Sequence, residues 1–128
     1  MKNFLKTLTI SLFLVFTIFA GPRSPKWSGV RQDYIEANPV CEVCGRTKLL
    51  QVHHILPVNA FPDKELDPTN LITLCSQCHL YLGHGGNYRY YFPEIRVLAG
   101  RVKSGELSMR VAKKFAKKYR VPNKPRNK

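Results

Sequence analysis

Acidic side chains are scarce in this chain: 8 Asp and Glu stand against 21 Lys and Arg, giving a formal net charge of +13 and a pI near 9.9. From Arg96 to the C-terminus Glu106 is the sole acid among Arg96, Arg101, Lys103, Arg110, Lys113, Lys114, Lys117, Lys118, Arg120, Lys124, Arg126 and Lys128. A surface of that sign marks a polyanion or an anionic surface as partner, and charge alone does not choose between them. No internal repeat is present. With 128 residues there is room for one domain plus appendages, and a core of this size is marginal without a staple such as a structural metal.

Long apolar runs are missing except at the start, where Leu8 to Ala20 reads LTISLFLVFTIFA. Lys2 and Lys6 precede it and Gly21-Pro22 break it, the plan of a secretory signal. The run is shorter than the roughly 20 residues of a membrane span, although counting from Phe4 with Lys6 snorkelling brings it close. Residues 1–21 are therefore read as a signal peptide or membrane anchor, with membrane association through residues 4–21 left open. A misplaced start codon or a buried helix is the remaining alternative, the latter disfavoured because the run has no polar face. The chain is accordingly expected to be exported or membrane-associated, or cytoplasmic if the anchor faces inward or the start is misplaced. Thiols exported to an oxidising compartment tend to pair as disulfides, whereas zinc thiolates favour reducing ones. The cluster Arg23, Lys26 and Arg31 fits a basic domain held inside, while Lys2 and Lys6 pull the other end inward.

Only 4 cysteines occur, all between Cys41 and His79: CEVCGRTKLLQVHHILPVNAFPDKELDPTNLITLCSQCH. Cys41/Cys44 and Cys75/Cys78 are two Cys-x-x-Cys pairs, and two intervening residues let the backbone turn around one ion, with Gly45 supplying the relaxed turn. Four thiolates suit a closed tetrahedral structural Zn2+. Two disulfides, or four free buried thiols, are the competing readings, and the flanking histidines favour zinc. His79, adjacent to Cys78, is a conceivable substitute zinc ligand. Leu49 to Leu56 has strand character ending at Pro57, and Leu71 to Leu74 makes a second strand. Ser76 reads as an N-cap opening a helix through Leu82. In a regular strand His53 and His54 point to opposite faces, so both serve one site only where the strand is ending. The loop 57–70 holds Asp63, Glu65 and Asp67, read as solvated charge rather than a metal cluster. Asn70 at its exit is suited to tying down backbone.

This stretch resembles the HNH endonuclease family, the ββα-metal nucleases, in the subgroup with a four-cysteine zinc clamp. His53-His54-Ile55 with Pro57, Leu66-Asp67-Pro68-Thr69-Asn70-Leu71, Leu74-Cys75 and Cys78-His79 fall in the family's order. The fold class implied is α+β, a small zinc-stapled ββα-metal module with flanking helices. The function implied is metal-dependent hydrolysis of DNA phosphodiester bonds. His54 would be the general base, Asn70 would hold the loop that orients it, and His53 and His79 would hold a catalytic Mg2+ or another divalent ion. A histidine suits the base because its neutral form dominates near pH 7. The alternative is a non-catalytic zinc-stabilised nucleic-acid-binding module, which has no reason to keep the His53, His54, Asn70 and His79 set. A third reading is an exported, disulfide-linked basic protein acting on membranes.

The flanks are read from their own residues. Ser24 as N-cap and Pro25 in the first turn predict a helix whose stripe Trp27, Val30, Tyr34 and Ile35 packs on the zinc module, ending at Asn38-Pro39. Trp27 is read as packing area rather than a base-stacking platform. His84 is left between metal ligation, phosphate contact and closing the helix. Tyr88, Arg89, Tyr90, Tyr91 and Phe92 either follow a nucleic-acid strand or pack rings on the core. A helix over Glu106 to Arg120 is expected to dock Leu107, Val111, Phe115 and Tyr119 and to expose lysines, with a disordered tail after Pro122. Arg89, Lys113, Lys114, Lys117 and Lys118 are the nucleic-acid-binding candidates, with DNA backbone preferred to an anionic membrane. The domain plan is 1–21 signal or anchor, 22–95 nuclease domain with its preceding helix, and 96–128 basic helical extension and tail.

Overall fold

The structure, a computed structural model, describes residues 23–123. The signal or anchor reading of residues 1–21 and the tail beyond Asn123 lie outside the described residues. Among the described residues no helix is long and apolar enough to cross a membrane.

Helix α1 spans Trp27–Ala37, strand β1 Leu50–His54 and strand β2 Leu71–Cys75. The short helix α2, Ser76–Cys78, runs on into a π-helical turn, His79–Gly83. Strand β3 is Tyr90–Tyr91, helix α3 Ile95–Lys103, helix α4 Met109–Tyr119 and strand β4 Val121–Pro122. β1 and β2 pair antiparallel from Leu50↔Cys75 to His54↔Leu71, and β3 pairs β4. The result is a small α+β module in which strand, strand and helix follow in the ββα order.

Every residue of β2 is buried, because the strand is covered on both faces. Ile72 and Leu74 join Ile55, Leu82, Phe92, Ile95, Leu98, Ala112 and Ala116 in one core that also contains Cys41, Cys75 and Cys78. Each fully buried Leu or Ile contributes roughly 1.5–3 kcal/mol. The thiol cluster is therefore walled by the same apolar side chains that hold the sheet to α3 and α4.

The stripe on α1 is as the periodicity predicts: Trp27, Val30, Tyr34 and Ile35 are half-buried and the rest of the helix is exposed. Tyr34 Oη donates to the Leu71 carbonyl at 2.6 Å, fixing α1 to β2. Burial raises the Tyr34 pKa, so the phenol keeps its proton for that bond. Ser24 acts two residues early, its Oγ accepting from Lys26 N at 3.3 Å, and the N-cap position itself is Lys26. Likewise Cys75 rather than Ser76 occupies the N-cap of α2, because β2 runs directly into the helix.

Of the docking stripe expected on the C-terminal helix, Leu107 and Phe115 do pack against the core, and Val111 and Tyr119 do not. Val111 is 47% and Tyr119 50% exposed, while Ala112 and Ala116 are fully buried. The reason is geometric. At about 100° per residue Val111 stands about 100° round the helix from Ala112, off the buried side, and Tyr119 is the last residue of α4. α4 packs on the π-helical turn through its alanines, whose small side chains permit close approach. Ser108 caps α4, its Oγ accepting from Val111 N.

Candidate active site and metal centres

The four Sγ atoms of Cys41, Cys44, Cys75 and Cys78 lie within 4.8 Å of one another, and all four thiols are free of disulfides. The Cys44 and Cys75 sulfurs are 3.7 Å apart. A tetrahedron with zinc–sulfur bonds of about 2.3 Å has edges of about 3.8 Å, so the donors converge as one closed zinc site requires. The first pair sits on a knuckle closed by Cys41 N to Arg46 O at 2.8 Å and Gly45 N to Cys41 O at 2.9 Å. Gly45 has φ +72°, which favours glycine there. Glu42 N donates to Thr73 O, hooking the knuckle onto β2 beside the second pair. A proton shared with Cys78 holds the Cys41 thiol down to about 4 and pushes Cys78 up, while burial pushes Cys44 up. His79 is not part of this cluster.

His79 belongs to a second cluster with His53 and His84, whose ligand nitrogens also lie within 4.8 Å of one another. Their ring centroids are 4.8–4.9 Å apart in edge-to-face pairs. His53 comes from the penultimate position of β1 and His79 opens the π-helical turn. His84 follows that turn, its N–H donating to the His79 carbonyl at 3.2 Å, five residues back. In an α-helix residues 79 and 84 would stand about 140° apart, at about 100° per residue. The π turn instead returns the fifth residue to the same side.

The hydrogen-bond pattern suits metal ligation. Tyr90 O accepts from His84 Nδ1 at 2.6 Å, which leaves Nε2 unprotonated and 3.3 Å from His79 Nε2. Such a carbonyl behind the ring is the usual orienting partner of a metal-bound imidazole. His53 Nε2 is buried without a hydrogen-bond partner, an orphan that a metal would satisfy. Burial holds His53 well below its ordinary pKa, with the neighbouring His79 and His84 adding to the effect. Burial likewise brings His79 down to about 4 and lowers His84, the latter opposed by its bond to Tyr90. All three imidazoles are neutral at pH 7, the form that binds metals. Gly83 permits the arrangement: a Cβ there would lie 3.0 Å from His53 Cε1 and 3.1 Å from Nε2.

His54 ends β1 and turns the other way. Its Nε2–H donates to Glu65 O at 2.8 Å, so Nδ1 carries the lone pair. The Trp27 ring lies against it with centroids 4.3 Å apart. Burial lowers the His54 pKa, the bond to Glu65 opposes that, and the Arg23 charge lowers it further.

Asn70, which is buried, clamps the loop between these elements. Its Oδ1 accepts from Leu56 N at 2.8 Å, and its Nδ2 donates to Leu56 O and Lys64 O at 3.0 and 3.1 Å. Lys64 precedes Glu65, whose carbonyl meets His54. The loop acids do not behave alike. Asp67 caps its own turn, accepting from Thr69 N, Thr69 Oγ1 and Lys64 Nζ, and the Thr69 bonds lead in holding its pKa down to about 2. Glu65 is not solvated loop charge: it is 9% exposed, and both its carboxylate oxygens accept from Ser24 N at 3.2 Å. The sequence concealed this because the partner is a backbone N–H 41 residues away.

The basic candidates spread differently. Lys114, Lys117 and Lys118 are exposed on the side of α4 turned from its alanines, and Lys113 is half-buried with its Nζ 4.4 Å over the Tyr81 ring. Arg89 is exposed beside β3. The aromatic run divides, with Phe92 buried, Tyr90 and Tyr91 half-buried and Tyr88 59% exposed. Tyr88 lies 4.8 Å from His84 by ring centroids, at the mouth of the histidine cluster.

Residues 41–85 match the family model described as HNH endonuclease. The likeness to that family is confined to this segment. No curated protein and no solved structure matches the chain. The HNH match embraces both clusters, His54 and Asn70, and at the level of the family points to a nuclease-type or nucleic-acid-related function. Trp27, α3 and α4 lie outside it. Two residues at this site escaped sequence reasoning in different ways. His84 was left open because a lone histidine after the helix-ending Gly83 is ordinarily unremarkable, and the carbonyl that orients it, Tyr90 O, is not legible in the sequence. Trp27 was read as packing area, and it does pack, but on His54.

Proposed function

We propose that the chain is a metal-dependent HNH endonuclease hydrolysing DNA phosphodiester bonds, with His54 as general base. The reading is carried by one observation: the two histidines ending β1 diverge, His53 into a neutral three-imidazole cluster and His54 onto a carbonyl that fixes its tautomer. With Nε2–H committed to Glu65 O, Nδ1 is the atom able to take a proton from water. Asn70 serves as a positioning residue, since its bonds to Leu56 and Lys64 hold the loop that presents the Glu65 carbonyl.

His53, His79 and His84 would hold the catalytic ion, and Cys41, Cys44, Cys75 and Cys78 the structural Zn2+. When bound, the catalytic ion supplies Lewis-acid stabilisation of the charge on the phosphate and its leaving oxygen. Three imidazoles without a carboxylate suit zinc, cobalt or nickel better than Mg2+, which prefers oxygen donors. Lys113, Lys114, Lys117, Lys118 and Arg89 would contact backbone phosphates, giving affinity without sequence information.

The test is supercoiled-plasmid cleavage by the full chain across Mg2+, Mn2+, Co2+, Ni2+ and Zn2+, with an EDTA control and a His54→Ala variant. Cleavage should fall by roughly 100- to 10,000-fold in His54→Ala, while zinc content and DNA binding stay unchanged. Absence of cleavage in every metal, by folded protein that binds zinc and DNA, would overturn the proposal in favour of a zinc-stabilised binding module.

A further inference from the structure

The first turn of α1 and the residues before it stand beside His54, although they lie outside the HNH match. Trp27 is the only tryptophan in the chain and is half-buried. Its ring is tilted 33° to that of His54, and the Arg23 guanidinium carbon lies 5.1 Å from its centroid. The imidazole is thus held at one edge by the Glu65 carbonyl and against one face by an indole. Torsion about the last bond of a histidine side chain is soft, so these two contacts set the direction of Nδ1.

Arg23 is exposed and, among the described residues, forms no ion pair. The Glu65 carboxylate engages Ser24 N, and that bond anchors the backbone next to Arg23. Trp27 N donates to Ser24 O at 2.9 Å, which ties the same segment to the helix. An arginine held on an indole face, its N–H groups uncommitted among the described residues, offers a planar fork for a phosphate. A merely decorative cation–π pair would not require the backbone latch through Glu65, whose carbonyl also holds His54.

Resting on the endonuclease reading above, we propose that Arg23 and Trp27 complete the active site. Arg23 binds a backbone phosphate of the nucleic acid beside the scissile bond, and Trp27 is a positioning residue that holds the His54 ring.

Two measurements test this. In steady-state cleavage, Arg23→Ala lowers kcat/KM by roughly 10- to 100-fold, mainly through KM, and Arg23→Lys restores only part of the loss because it keeps charge but not the fork. Trp27→Leu lowers kcat by roughly 10- to 100-fold with KM little changed, as expected for a displaced base, and Trp27→Phe recovers most of it. The second measurement needs no turnover: a short duplex is titrated against zinc-clamped protein with no further divalent ion added, following the emission of the single tryptophan. Wild-type emission changes on binding, and Arg23→Ala weakens the duplex by roughly 10-fold. Wild-type cleavage with unaltered Arg23→Ala and Trp27→Leu kinetics overturns this inference and leaves the endonuclease reading intact. Unchanged emission together with unchanged Arg23→Ala affinity overturns it even if the wild type does not cut. No cleavage with a normal emission response overturns the endonuclease reading and keeps Arg23 as a nucleic-acid contact.

Discussion

Gly83→Ala tests the histidine cluster without touching a ligand. The added methyl would sit 3.0–3.1 Å from His53 Cε1 and Nε2, closer than ordinary van der Waals contact, so the imidazole must shift. Overpacking of this kind costs about 1–3 kcal/mol, against a helix-propensity gain of about 1 kcal/mol for replacing glycine. Without a second metal the net loss is therefore small, about 0–2 kcal/mol. With metal the effect is larger, because displacing one ligand of three should weaken binding roughly 10- to 100-fold. Under saturating metal that is about 1.4–2.7 kcal/mol of lost stabilisation, and a domain of this size shifts about 4–8 °C per kcal/mol. The metal-induced rise in Tm should thus shrink by roughly 6–20 °C. The assay is thermal unfolding of protein with its cysteine site zinc-loaded, with and without added Co2+ or Ni2+, alongside a direct metal titration. Gly29→Ala in α1 is the control, since nothing lies within 4 Å of its added Cβ. It should stabilise by about 0.4–1 kcal/mol and leave the metal response alone. An identical metal-induced shift and affinity in Gly83→Ala and wild type would refute the proposed role of His53.

Asn70→Ala removes three hydrogen bonds from the loop beside His54, and chemical denaturation should show a loss of about 2–4 kcal/mol; a change below 1 kcal/mol would mean that the loop is held by other contacts. Ala116→Leu should destabilise by about 1–3 kcal/mol, whereas Val111→Ala should stay within about 0.5 kcal/mol. The reverse order in equilibrium unfolding would restore the stripe expected from every-fourth-residue spacing.

What the sequence determined by itself is mostly local. Two Cys-x-x-Cys pairs announce a four-thiol site because the ligand spacing is a property of a short turn. The apolar, β-branched segments either side of a proline-rich loop announce two strands. The α1 stripe was legible because its residues keep to one side of a helix over only two turns. Charge scarcity in acids could be read without any fold at all. The His-His pair, Asn70 and His79 were legible as a pattern, and their arrangement then follows from the ends of β1 and β2 meeting the start of the next helix.

Tertiary structure decided the rest, wherever the partner is distant in sequence or the backbone leaves its regular period. The π turn brings His84 to His53 and His79, against the α-helical expectation for a five-residue interval. Glu65 became a buried anchor because folding delivers Ser24 N to it across 41 residues. α4 turned its alanines inward because the turn it packs on demands close approach, which local hydrophobicity does not encode. Trp27 reached His54 for the same reason: a stripe fixes which side of a helix is buried, and only the packed chain determines what lies beneath it.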